Sequence, residues 1–344
     1  GRHGERGARD QAPLQERDRI ASRDGVLRLA KGLLDGDARS LARAMSLVEN
    51  GAPEAEALLD SIFGARPPAP RVGITGPPGA GKSTLVAEYA LVLRREGRRV
   101  GVVAVDPTSP YTGGAILGDR VRMSELSTDP GVFIRSMATR GSLGGLAART
   151  EELCELLSAW GSDITLIETV GVGQSELDVA QAADTTIVVL TPESGDAIQS
   201  LKAGLMEIAD VFVVNKSDHS GADQLVAAVR SALALRGPSP WRPPIVRTVA
   251  TERRGIDELH QAIQAHGAYL GDPAASAGIR REKIRARLKN AVRERLLERA
   301  WERQGLGKLL DRAAEEVLQG AVSPYRAARD LIERMTDDGE RSAS

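Results

Sequence analysis

At 344 residues, with 42% apolar and 27% charged side chains, the chain can bury a substantial core and is composed like an ordinary globular protein. Its 46 basic residues are balanced by 47 acidic ones, so no overall field draws it to nucleic acid or to an anionic membrane. No apolar run approaches the roughly 18 residues that span a bilayer, the amino terminus is polar, and the single cysteine, Cys154, excludes an internal disulfide, so the expectation is a cytoplasmic protein without membrane or nucleic-acid partners.

Residues 1–24 are charged and nearly devoid of apolar side chains, which predicts disorder. Residues 25–66 hold three amphipathic pieces, Val26 to Leu34, Ser40 to Val48 and Glu54 to Phe63, and read as a helical lead-in. From 67 to 272 the pattern changes to short apolar runs alternating with helices. The runs are Arg71 to Thr75, Arg99 to Val105, Ile164 to Glu168, Thr185 to Thr191, Val211 to Asn215 and Ile245 to Val249. Strands apolar on both faces and joined by helical crossovers predict an α/β fold with a mostly parallel sheet covered by helices on both sides. Cys154 lies in a helical run and reads as a buried thiol, while His260 and His266 read as surface or half-buried residues of one helix. Residues 273–344 carry no strand pattern. Ile284, Leu288, Val292 and Leu296 recur at four-residue spacing, and Leu306 to Leu318 and Pro324 to Met335 predict further helices, the last capped by Ser323 with proline at its first position.

The stretch Gly76-Pro77-Pro78-Gly79-Ala80-Gly81-Lys82-Ser83 follows a strand and opens the helix Thr84 to Arg95, the setting in which a GxxxxGKS string is a phosphate-binding loop. Its glycines let backbone amides converge on phosphate oxygens, assisted by the helix amino terminus. Lys82 is placed to reach the β and γ phosphates and the Ser83 hydroxyl to bind Mg²⁺. Pro77 stands where the dimer-pairing ATPases carry a signature lysine, which disfavours that subgroup. Asp106 and Glu168 each close a strand, and because ligands of an open α/β sheet bind beyond its carboxyl ends, both acids are candidates for the magnesium shell. Gly171, in Glu168-Thr169-Val170-Gly171, resembles the glycine with which GTPases sense the γ phosphate.

Asn215-Lys216-Ser217-Asp218 ends another strand as an Asn-Lys-x-Asp tetrad, the guanine-reading motif. Asp218 can accept from guanine N1–H and from the exocyclic amine, two donors that adenine does not present. Asn215 braces the loop and the Lys216 stem packs over the ring. Val249-Ala250-Thr251, after the last strand, is a candidate for a second base-contacting loop.

Together these motifs resemble the MeaB/ArgK family, GTPase chaperones of adenosylcobalamin-dependent acyl-CoA mutases. Beside the phosphate loop and the tetrad, the likeness rests on Val105 to Ser109, Thr112 to Arg120 and Glu168 to Glu176. The resemblance implies binding of GTP and GDP with Mg²⁺, and hydrolysis of GTP. It implies that Asp106, Asp119 and Glu168 form the metal and catalytic shell with Lys82 and Ser83, that Thr84 belongs to the phosphate site, and that Asp196, Gln199 and Lys202 lie on a partner-sensing switch. It further implies a homodimer, with residues 273–344 as a helical dimerisation arm, and a mutase partner such as methylmalonyl-CoA mutase. No water-orienting glutamine is readable, so slow intrinsic turnover that a partner accelerates is expected. The alternatives are a small-molecule kinase, as an older transport-linked name for such proteins implies, and a GTP-dependent assembly scaffold without useful turnover.

Overall fold

The computed structural model describes residues 23–106, 126, 128–138, 145–169, 175–193, 204–237, 239–272 and 306–341, with scattered positions of a helical stretch between 278 and 296. The chain divides into two compact units, residues 1–283 and 284–344. The first begins with α1 (Arg23–Leu34), α2 (Ala38–Glu49) and α3 (Glu54–Ile62). Asp37 caps α2, its carboxylate accepting from the Ser40 amide at 2.8 Å and the Ser40 hydroxyl at 2.7 Å. There follow β1 (Arg71–Thr75), α4 (Lys82–Arg95), β2 (Val100–Asp106), β3 (Val132–Ala138), α5 (Gly145–Trp160) and β4 (Ile164–Thr169). The unit continues with α6 (Ser175–Ala182), β5 (Thr185–Leu190), β6 (Val211–Val214), α7 (Ala222–Ala234), β7 (Ile245–Arg247) and α8 (Ile256–Gly271).

The strands form a seven-stranded sheet in the order β3-β2-β4-β1-β5-β6-β7, with every pairing parallel. Alternation along the strands assigns the two faces. Val72, Ile74, Val100, Val102, Leu166, Ile187 and Val189 pack beneath Leu85, Tyr89 and Leu93 of α4 and Leu259 and Ile263 of α8. On the other face Val103, Val105 and Ile167 share a core with α5 and with Leu33, Leu41, Met45 and Leu58 of the three leading helices. Val188, Leu190, Phe212 and Val214 meet α7 on that side through Leu225, Val226 and Val229. A parallel sheet covered on both faces is what the apolar runs predict, and Cys154 is buried as expected.

Two expectations need correction. A seventh strand, β3, lies at the sheet edge beside β2. Arg135 and Ser136 break its apolar run, and the Arg135 guanidinium is accounted for by α2, where its Nε donates to Glu49 Oε1 at 2.8 Å. His260 and His266 are not surface residues; both are buried. His260 stands between the Tyr89 hydroxyl, at 3.3 Å, and Glu96 Oε1, at 2.9 Å. His266 lies 2.8 Å from Thr185 Oγ1 and 3.4 Å from Asp210 Oδ1, walled by Trp241 and Tyr269. Their rings fill aromatic space while their nitrogens serve polar groups at strand and helix ends. Helix boundaries differ from those expected, as at α1, which starts at Arg23, and at α4, which starts at Lys82.

In the second unit α9 (Leu306–Leu318) and α10 (Pro324–Arg341) pack on each other, and the Ser323 hydroxyl accepts from the Arg326 amide at 3.3 Å as the capping pattern predicts. Helix α10 runs beyond the expected Met335. The apolar residues Ile284, Leu288, Val292 and Leu296, together with Leu310, Leu318, Tyr325 and Ile332, are exposed. Among the described residues no helix is long and apolar enough to cross a membrane. The stretch expected to be disordered lies, up to residue 22, outside the described residues.

Candidate functional site

The phosphate loop leaves the central strand β1 through three positive-φ glycines, Gly76 (142°), Gly79 (75°) and Gly81 (84°). Space is as restrictive as backbone angle at two of them. A Cβ on Gly76 would stand 2.1 Å from the Val189 carbonyl oxygen of β5, and one on Gly81 would stand 2.5 Å from Asn215 Nδ2. The loop thus reaches α4 pressed against its neighbours, and the first turn of α4 directs its amides into the same space. Lys82 is buried, and its ammonium donates to the carbonyls of Gly76 at 2.8 Å and Pro77 at 2.9 Å. The Ser83 hydroxyl donates to Glu168 Oε1 at 2.5 Å.

Glu168 is 3% exposed, near the end of β4, flanked in register by Ile74 of β1 and Ala104 of β2. The neighbouring Thr169 hydroxyl donates to Thr75 Oγ1 at 3.2 Å, tying β4 to the last residue before the loop. Asp106 is the last residue of β2, so Ser83, Glu168 and Asp106 belong to three adjacent strand or helix ends. This oxygen-only set suits a hard divalent cation. Among the described residues no group of three or more His, Cys, Asp or Glu side chains converges.

Asn215 joins the two halves of the site. It is 3% exposed, its Nδ2 donates to the Ala80 carbonyl at 2.8 Å, and its Oδ1 accepts from the Thr248 hydroxyl at 3.0 Å and the Ala250 amide at 3.2 Å. One side chain therefore connects the phosphate loop, the tetrad and the loop after β7. Lys216 adopts a left-handed φ of 53°, uncommon for a residue with a side chain. Neighbouring hydrogen bonds hold that turn, from the Asn215 amide to the Leu190 carbonyl, 2.9 Å, and from the Ser217 amide to the Thr248 carbonyl, 3.0 Å. Asp218 and Thr251 sit at the surface beside them, Asp218 at 37% exposure, while Val249 and Ala250 are buried. Arg253, also at left-handed φ, secures the loop to α4 through Glu88 at 2.8 Å.

The structure therefore gathers Gly76 to Thr84, Glu168, Asn215, Lys216, Asp218 and Val249 to Thr251 around the carboxyl ends of β1, β4, β6 and β7. Asp119, Gly171, Asp196, Gln199 and Lys202 lie outside the described residues. Glu193 was not foreseen. Its carboxylate contacts Lys216 Nζ at 2.9 Å and His219 Nδ1 at 2.6 Å, and those hydrogen bonds, Lys216 first, hold its pKa below the usual carboxylate range. No spacing signal connects residues 23 apart in different loops; only the pairing of β5 with β6 brings them together.

A family model described as methylmalonyl-CoA mutase-associated GTPase MeaB matches residues 41–305. A relative from Pyrococcus abyssi is 45% identical over 318 residues, 90% of this chain and 97% of that one. The GTPase ArgK of Escherichia coli is 37% identical, covering 88% of this chain and 94% of its own. The mitochondrial methylmalonic aciduria type A homolog of Mus musculus is likewise 37% identical, covering 89% and 78%. Among solved structures, a LAO/AO transport system kinase superposes with a TM-score of 0.67 at 30% identity, covering 92% of this chain and 99% of that one.

Proposed function

Because the chain belongs to the MeaB family and is a P-loop GTPase, we propose that its GTP hydrolysis gates the loading or protection of adenosylcobalamin on an acyl-CoA mutase, methylmalonyl-CoA mutase foremost. The family description and the methylmalonic aciduria name of the mouse relative support the mutase as partner. The observation that supports the nucleotide part is Asn215, whose contacts to Ala80 and Ala250 link the proposed phosphate loop to the proposed base-reading loop.

In the reaction water attacks the γ phosphorus, the bond to the β–γ bridging oxygen breaks with its electron pair passing to GDP, and the water proton leaves with phosphate. The protein's task is positioning and charge stabilisation. Lys82, poised at the Gly76 and Pro77 carbonyls, turns its ammonium to the phosphates, whose charge outweighs two carbonyl dipoles. Loop and α4 amides hold the phosphate oxygens. Ser83, Glu168 and Asp106 would hold Mg²⁺, which would supply neutralisation of the phosphate charge. Asp119 is proposed to complete that acidic shell and Gly171 to sense the γ phosphate. Asp218 accepts from the guanine edge, with Asn215, Lys216 and the loop Val249 to Thr251 around the base.

Hydrolysis becomes a gate when the partner binds the GTP and GDP forms with different affinity, since only differential binding shifts a conformational population. Asp196, Gln199 and Lys202 are the proposed partner-sensing positions. The exposed stripe Ile284, Leu288, Val292 and Leu296 supports residues 273–344 as the homodimer arm, and the cytoplasm is the proposed working compartment. Phosphate release from GTP, measured with and without purified methylmalonyl-CoA mutase, tests the proposal. Stimulation by the mutase is expected. Transfer of the γ phosphoryl to a small acceptor instead of water supports the kinase reading, and tight GTP binding without release supports the scaffold.

A further inference from the structure

We infer that Glu193 is a positioning residue for guanine recognition, its carboxylate fixing the Lys216 side chain beside the base site while His219 secures the other carboxylate oxygen. The inference rests on the reading of Asn215 to Asp218 as the base-recognition loop. Strands β5 and β6 pair through Leu190 and Val214, so the chain segments that leave them, Thr191-Pro192-Glu193 and Asn215-Lys216, run out side by side. Pro192 lies against the turn at Gly221, where an added Cβ would meet Pro192 Cβ at 3.6 Å, which keeps the two segments close. Glu193 then bridges them with both oxygens engaged, Oε2 to Lys216 Nζ at 2.9 Å and Oε1 to His219 Nδ1 at 2.6 Å. His219 in turn lies 3.6 Å from Asp218 Oδ2.

The physical role is preorganisation. A lysine side chain is rich in rotamers, and packing its stem over a ring requires that freedom to be surrendered at binding. Lys216 meets part of this cost in advance, through its left-handed backbone and through Glu193. The three side chains are 37% to 52% exposed, so the effect is that of a surface network, about three- to fivefold in nucleotide affinity.

Stopped-flow release of a fluorescent GDP analogue from the full chain tests the inference. Glu193→Ala should speed release about three- to fivefold, and Glu193→Gln, which keeps the shape and one acceptor but no charge, should fall between it and wild type. In a Lys216→Ala background Glu193→Ala should add nothing, because its effect passes through that lysine. Equal acceleration in both backgrounds, or none in either, overturns the inference. Competition of GTP and ATP for the wild-type protein separates this from the reading beneath it. If ATP displaces the analogue as well as GTP does, the base-recognition assignment has failed; if guanine is preferred and Glu193→Ala releases at the wild-type rate, only the role of Glu193 is lost.

Discussion

The two ends of the sheet bury polar side chains to a similar degree and use them differently. At the amino-terminal end the Arg71 amide donates to Asp184 at 2.9 Å, the Thr186 amide to Asp210 at 2.8 Å, and the Trp241 indole to the Asp210 carbonyl at 2.8 Å, with His266 set between Thr185 and Asp210. There side chains answer backbone and side-chain groups of adjoining elements. At the carboxyl-terminal end glycines replace bulky residues, a helix begins, and Lys82, Ser83 and Asn215 hold loops that converge on a common space. Buried polarity by itself therefore does not mark a site. Convergence of backbone donors beside charged side chains does, because such groups can be answered by a phosphate as readily as by the protein.

The contrast breaks most severely if Lys82→Ala is harmless. Its hydrolysis rate should fall on the order of a thousandfold, because a charge-stabilising donor is lost where negative charge develops, while thermal unfolding stays near wild type. Wild-type phosphate release by the folded variant would remove the phosphate loop from the chemistry. Asp218→Asn should weaken GTP binding by about a hundredfold, since the amide turns a donor toward guanine's donors, and should move preference to xanthosine triphosphate, whose carbonyl accepts from that amide. Titration with GTP, ATP and xanthosine triphosphate decides it, and unchanged GTP affinity would end the guanine assignment.

At the opposite end His266→Ala should cost about 2–3 kcal/mol of stability by stripping Thr185 and Asp210 of a buried partner, with hydrolysis per folded molecule retained at saturating GTP. A variant of normal stability but poor activity would reverse the roles of the two ends. A smaller effect, away from both, calibrates the comparison. Asp37→Ala removes the α2 cap for about 1 kcal/mol. Hydrogen bonds from Ser40 hold the Asp37 carboxyl below its usual pKa. A depressed folded pKa means the contribution is complete above the unfolded value and lost as pH falls through the folded one. The difference in denaturation midpoint between wild type and variant should therefore shrink below about pH 4.

What was legible in the chain follows the same division. Gly76 to Ser83 and Asn215 to Asp218 are readable because their chemistry needs fixed residue types at short spacing. Strands buried on both faces are readable because apolar residues dominate both of their faces. The Asn215 to Ala80 bond spans 135 residues and leaves no local trace. Glu193 is equally silent, being an ordinary loop acid until β5 and β6 pair. The half-buried edge strand β3 carries Arg135 and Ser136 in its middle, so periodicity alone could not separate it from a loop. His260 and His266 misled for a different reason. Polar residues on an otherwise amphipathic helix are assigned to solvent by default, and the partners that bury them, Tyr89 and Thr185, come from far upstream.

The place of β1 at the middle of the sheet also governs how the molecule is made. Arg71 pairs with Thr165 and Val72 with Thr185, so both neighbours of this strand are synthesised roughly a hundred residues after it. At about 5–20 residues per second, an interval of about 5–20 seconds separates the emergence of β1 from that of its first partner. During that interval a short apolar strand stands on the nascent chain with both edges open, the configuration most prone to pair with the wrong chain. The phosphate loop that follows cannot be braced until Asn215 has also left the ribosome, so nucleotide binding on the nascent chain must await nearly the whole first unit.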